Sequence, residues 1–382
     1  MSGGRPAPVL TPLEVASGVV LGRESRVALP AAPGALDPLG ALECEILPAL
    51  RSPPCLVSFS GGRDSSAVLA VATALARRHG LEPPIPVTNR FLEAPGAEES
   101  AWQERVIGHL GLHDWHRLEL TDELDAVGPV ARRGLERHGL LWPFNAHFHV
   151  PLLEAAAGGT LLTGIGGDEA FGESRWARAD AVLSGRARPV PRDLLTLGLA
   201  FSPVAVRSLI LRGRAPECRW LSEGGQRAFA RALAGHEAAE PRLYAPRLAW
   251  WHGLRAFRVG LESLSLLALD AGAAIAHPLA SPAFAAALAR TAPRRGPEER
   301  GAFMRRLFGA LLPADVYARG TKARFDEAFW RADARAVAAA WEGECADPGL
   351  VDAQRLREEW GRPVPDPHTY TLLQAAWLSR PR

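Results

Sequence analysis

The segment Cys55-Leu56-Val57-Ser58-Phe59-Ser60-Gly61-Gly62-Arg63-Asp64-Ser65-Ser66 constrains the fold more than any other part of the chain. A short apolar run enters a Gly-Gly turn and opens onto an alanine-rich helical pattern over residues 65–78. A strand feeding a helix in this way suits a parallel sheet, where each strand needs a crossover to reach the next. The alternation then repeats. Residues 85–91, 115–120 and 160–163 are further predicted strands, and Trp102, Val106, Ile107 and Leu110 mark one face of an intervening helix. The pattern predicts an α/β chain with a doubly wound parallel sheet. Beyond about Arg175 the strand signals fade, and proline-punctuated helical patterns predict a mostly helical C-terminal lobe. Pro189 and Pro191 mark the boundary, giving an extension over 1–50, a sheet domain over 51–190 and a helical part over 191–382.

A length of 382 residues suits two domains, or one large α/β domain with an added lobe. With 47% apolar and 23% charged residues a core is available and wholesale disorder is excluded. The 44 basic and 42 acidic side chains nearly cancel, so the charge gives no case for nucleic acid or an anionic membrane. Cys44, Cys55, Cys218 and Cys345 form no C-x-x-C pair, which argues against a zinc ribbon or disulfide scaffold and fits a reducing compartment. The proline-broken start lacks the apolar run of a signal peptide, and a cytoplasmic protein is expected.

The Gly-Gly turn also carries chemistry. Its glycines let backbone approach an anion, and the helix start supplies unpaired N–H groups. Ser60, Ser65 and Ser66 add hydroxyl donors. Asp64 would repel a bare phosphate, so a divalent cation has to stand between them, and magnesium-bound polyphosphate is the economical ligand. No Gly-Lys-Ser/Thr follows, so the turn is not a Walker A loop, and it is not the G-x-G-x-x-G fingerprint either. A second strand-to-glycine turn, Leu161-Leu162-Thr163-Gly164-Ile165-Gly166-Gly167-Asp168-Glu169, places two carboxylates just past a strand's carboxyl end. Open α/β sheets bind their ligands there.

The string S-G-G-x-D-S resembles the pyrophosphate loop of the PP-loop ATP pyrophosphatases, which cleave ATP between the α- and β-phosphates. The second turn, Gly164 to Gly172, is similar to the G-x-G-x-D-E-x-F-G motif of the asparagine synthetase synthetase domain. A third segment, Arg319-Gly320-Thr321-Lys322-Ala323-Arg324-Phe325, is similar to that family's R-x-x-K-x-x-F. Glu98 and Glu99 stand about where the family has an acidic pair, and His277 to Pro282 stand where it reads close to P-F-L-D. The resemblance implies a PP-loop nucleotide-binding domain over 51–190 and ATP with Mg2+ as cofactors. It implies ATP and pyrophosphate contacts from Ser60, Gly61, Gly62, Asp64, Ser65, Ser66, Gly164, Gly166 and Gly167. It also implies metal binding by Asp64, Asp168 and Glu169, and catalytic roles for Lys322, Asp168 and Arg319. Lysine is rare here and arginine common, so a retained lysine suits charge developing on a transferring phosphorus.

The departures shape the expected function. About 50 residues precede the pyrophosphate loop, too few for the glutaminase domain of glutamine-dependent asparagine synthetases. Ile165 occupies the position where asparagine synthetases carry glutamate and the β-lactam-forming relatives tyrosine, and isoleucine can neither accept nor donate a proton. His147, His149 and His252 are the replacement bases to consider. Ser281 in place of an aspartate, and Glu173-Ser174 in place of Gly-Tyr, depart from asparagine synthetase as well. An ATP-dependent, AMP-forming amide ligase is expected, acting on a small-molecule or peptide carboxylate and an amine. It resembles lasso-peptide macrolactam and β-lactam synthetases in natural-product or peptide modification, with a precursor peptide or a separate ammonia source as partner. The alternatives are a stand-alone asparagine synthetase-like enzyme and a non-catalytic nucleotide-binding relative. A PP-loop enzyme of RNA modification should carry cysteine pairs and a basic surface, and neither is present.

Overall fold

The computed structural model describes residues 8–24, 28–30, 36–93, 99–214, 218–297, 299–318 and 325–380. Five strands form one sheet: β1 (Cys55–Ser58), β2 (Ile85–Phe91), β3 (His116–Leu120), β4 (Thr160–Leu162) and β5 (Ala274–Ala276). Their order is β3-β2-β1-β4-β5 and every neighbouring pair is parallel. The chain begins at the centre, winds outward through β2 and β3, and returns to the opposite side of β1 with β4. The β1/β4 junction is therefore the point where the winding reverses, and the carboxyl ends of those two strands form the ligand-binding crevice of such a sheet.

Side chains alternate across the sheet and bury both faces, as the two-residue period of a strand demands. Val57 and Leu162 point into a core shared with Leu42, Ile46, Val68 and Phe284. Leu56, Val87 and Leu161 point into the opposite one with Leu152, Leu264 and Leu267. Helix Pro38–Leu50 starts with Asp37 accepting from Gly40 N at 2.7 Å. Helix Arg63–His79 ends in Arg77, Arg78 and His79, whose position complements the helix dipole, and stops at the left-handed Gly80.

One expectation needs correction. Strand signals do not end near Arg175, because β5 pairs with β4 at Thr160/Ala274, Leu161/Ile275 and Leu162/Ala276. A three-residue Ala-Ile-Ala run carries too little β-branched character to announce itself. The terminal helix Tyr370–Leu378 packs into the core and is buried on nearly every side. Gln374, buried within it, is satisfied: its Nε2 donates to Ala126 O at 2.8 Å and Phe144 O at 2.9 Å. Among the described residues no helix is long and apolar enough to cross a membrane.

Candidate active site

The two glycine turns leave neighbouring strands, β1 and β4, at their carboxyl ends. In the first turn Gly61 has a φ of +80°, a left-handed conformation that a side chain would resist. Ser60 and Ser65 brace this loop: Ser65 Oγ donates to Gly62 O at 3.1 Å and lies 3.1 Å from Ser60 Oγ. Gly62 N donates to Ser60 Oγ at 3.2 Å, and Gln103 Nε2 donates to Ser60 O at 3.1 Å. The loop is thus held in shape before any ligand arrives.

The second turn packs against the first with no room for side chains. A Cβ on Gly167 would lie 2.3 Å from Asp64 Cγ, and one on Gly164 would lie 2.8 Å from Ser65 N. Helix Gly167–Phe171 follows, pinned by Phe171, which is buried edge-on against Phe284 and Phe308. Tyr244 Oη donates to Ala170 O, and Arg247 Nη2 to Gly172 O at 3.1 Å. With Phe171 anchored inward, Asp168 and Glu169 line the cavity beside Asp64.

Sequence reasoning missed Arg300, the first residue of helix Arg300–Phe308. Its Nη2 lies 2.5 Å from Asp64 Oδ2, and its Nη1 donates to Asp168 Oδ1. One guanidinium therefore bridges the carboxylates of the two turns. Nothing in the sequence could single it out, because arginine is abundant and no motif contains it. Burial pushes the Asp64 carboxyl above its ordinary range and Asp168 adds to the rise, while Arg300 opposes it. Glu169 is also raised, first by burial and further by its neighbours Asp168 and Asp64, although its carboxylate opens onto the cavity. Burial disfavours the Arg300 charge, but Asp64 and Asp168 outweigh it and hold its pKa above the usual value.

This donor set suits magnesium. Mg2+ is bound through one or two carboxylates plus substrate phosphates, with water completing the shell. Asp64 Oδ1 is buried and meets no hydrogen-bond donor among the described residues, an acceptor left unsatisfied by the protein itself. Among those residues no group of three or more His, Cys, Asp or Glu side chains is arranged as a metal site. Asp64 and Asp168 are the converging pair, and Glu169 stands beside them as a neighbouring charge.

The cavity measures about 640 Å³ and is lined from both turns by Ser60, Gly62, Asp64, Ser65, Gly164 and Gly166, with Arg300 on its wall. Gly61, Ser66 and Gly167 do not line it: Ser66 is 0% exposed, Gly61 shapes the turn and Gly167 permits the close approach. Glu99 and Phe325 also border it. Arg319, Lys322 and Glu98 lie outside the described residues.

A second cavity of about 550 Å³ adjoins the first, and Asn145, His149, Ile165, Asp168 and Glu169 line both. The histidines separate by geometry. Both ring nitrogens of His147 face backbone carbonyls, Phe144 O at 3.2 Å and Leu124 O at 3.0 Å, and its single N–H donates to one of them, which makes it structural. His252 lines neither cavity. His149 faces both, its Nδ1 has no hydrogen-bond partner among the described residues, and burial pushes its pKa down to about 4, leaving a neutral imidazole.

In comparison with protein families, the family model described as asparagine synthase matches residues 50–378. No curated protein matches the chain.

Proposed function

The chain belongs to the asparagine synthase family, which groups ATP-dependent amidating ligases, and we propose that it adenylates a substrate carboxylate and transfers the acyl group to an amine. The observation that carries this reading is the Asp64–Arg300–Asp168 bridge between two interlocked glycine turns. ATP would lie over Ser60–Ser66, with its pyrophosphate portion between the turns. A carboxylate oxygen attacks the α-phosphorus, and the bond from that phosphorus to the pyrophosphate oxygen breaks. Held by Asp64 and Asp168, magnesium would supply charge neutralisation for the departing pyrophosphate. Arg300 has two N–H groups already aimed at this anionic zone, and Lys322 offsets charge on the transferring phosphorus.

In the second half the amine nitrogen forms the C–N bond, and the acyl carbon's bond to AMP breaks. A carboxylate is a poor electrophile and its AMP ester a good one, which is why ATP is needed. The proton released by the attacking nitrogen passes to His149, which lines both cavities and whose Nδ1 has no hydrogen-bond partner among the described residues. Ile165 lines that mouth without a polar atom, which favours a substrate in natural-product or peptide modification over free aspartate. The test is carboxylate-dependent ATP–pyrophosphate exchange, followed by AMP release on adding amines, across a panel of acids and peptides. Exchange with at least one acid is expected. Nucleotide binding without exchange for any acid would leave a nucleotide-binding protein and refute the ligase.

A further inference from the structure

The second cavity has a chemistry of its own. Trp142, Trp250, Trp251 and Phe257 give it four aromatic walls, and Leu254, Leu261 and Leu264 supply the remaining apolar surface. Its charged lining is mainly acidic, Asp168, Glu169, Glu173 and Glu240 against Arg175 and Arg247, with Asn145, His149 and His236 as the other polar side chains. Both arginines are already engaged, Arg247 with Gly172 O and Arg175 with Glu237 and, at 3.6 Å, Glu240. Asp168 is held by Arg300. Glu169 forms no ion pair among the described residues, yet it stands where the two cavities meet. Trp250 is 7% exposed, and its indole N–H finds no acceptor among the described residues, so a ligand oxygen would be welcome beside it.

We infer that this chamber binds the amine partner, as an ammonium at Glu169 attached to an aromatic or otherwise bulky apolar body packed among the tryptophans. A volume of about 550 Å³ suits a drug-sized molecule, far more than ammonia requires. Aromatic faces favour a cation as well as an apolar ring, whereas a carboxylate would meet acidic side chains. The inference rests on the ligase reading for its meaning: before attack the ammonium passes one proton to the Glu169 carboxylate, and the free amine so formed would stand beside His149 and the nucleotide cavity.

Isothermal calorimetry on the whole chain with 2-phenylethylamine, 3-phenylpropanoate and 2-phenylethanol tests it without ATP. The amine should bind at least ~10-fold more tightly than the acid, in keeping with a charge-assisted contact. Gly260 lines the chamber, and a Cβ there would meet Trp142 at an ordinary 3.6 Å, so Gly260→Phe can fill the space without a backbone clash. Gly260→Phe should weaken amine binding ~10-fold or more while retaining a cooperative thermal transition, and Glu169→Gln should erase the preference for amine over alcohol. Equal binding of acid and amine, or unchanged binding in Gly260→Phe, would overturn the inference. Pyrophosphate exchange by the unsubstituted protein needs no amine, so the two readings fail separately. Exchange without amine selectivity would sink the chamber alone, and amine selectivity without exchange would sink the ligase alone.

Discussion

Gly167 lies so close to Asp64 that a single added methyl carbon would sit 2.3 Å from the aspartate's carboxyl carbon. The contact joins two turns that are far apart in sequence and fixes where the two carboxylates meet. Gly167→Ala must push Asp64 away from Arg300. An overpacked contact of this kind should cost ~1–3 kcal/mol in chemical denaturation, with Mg-ATP affinity falling by a larger factor than in substitutions outside the turns.

Arg300→Gln leaves Asp64 facing Asp168 with no guanidinium between them. A loss of ~2 kcal/mol at neutral pH is expected, less than for a fully buried pair because Asp168 is open to solvent. The pH dependence has a definite sign. Asp64 has a folded pKa above its unfolded one, so protonation stabilises the fold and stability falls as pH rises through the folded value. Removing Arg300 lifts that pKa further. The gap between the two proteins should widen as pH rises from about 4, the ordinary carboxylate range, and close in acid. Denaturation at a series of pH values in EDTA checks this, and a gap independent of pH would refute it.

Much of this arrangement was legible in the sequence. The strand–Gly-Gly–helix pattern located β1 and its turn, and strand Ile85–Phe91 stands where the apolar run placed it. Asp64 and Asp168 were singled out by charge beside glycine, and the structure brings them to one guanidinium. What stayed hidden has physical causes. β5 is too short for a two-residue alternation to register, and its place depends on pairing with β4. Arg300 is defined only by tertiary contact. Ser66 shares the motif with Ser65, but one residue further along a helix turns its side chain into the core.

His149→Gln separates the two chemical halves. Pyrophosphate exchange should persist within a few-fold, because adenylation needs no proton acceptor at that point. Amide formation from the acyl adenylate should fall ~100-fold or more, the usual scale of general base catalysis. With its pKa at about 4, the imidazole stays unprotonated through the neutral range. Single-turnover measurements of both halves distinguish this outcome from a general loss of activity.

Lys322 is the one lysine in the sequence, which makes it addressable. An acyl-phosphate derivative of ATP, which acylates amines near the nucleotide, should label Lys322, and excess Mg-ATP should protect it. Peptide mapping by mass spectrometry reads the site. Labelling that ATP does not suppress would contradict its assigned place by the phosphates.

The most direct measurement is Mg-ATP affinity by calorimetry for the unsubstituted chain, Asp64→Asn, Asp168→Asn and the double variant. If both carboxylates hold one metal-bridged triphosphate, each single substitution should cost ~10-fold or more, and the double variant should lose little beyond the worse single one. Losses that simply multiply, or a single substitution that leaves affinity unchanged, would contradict a shared site.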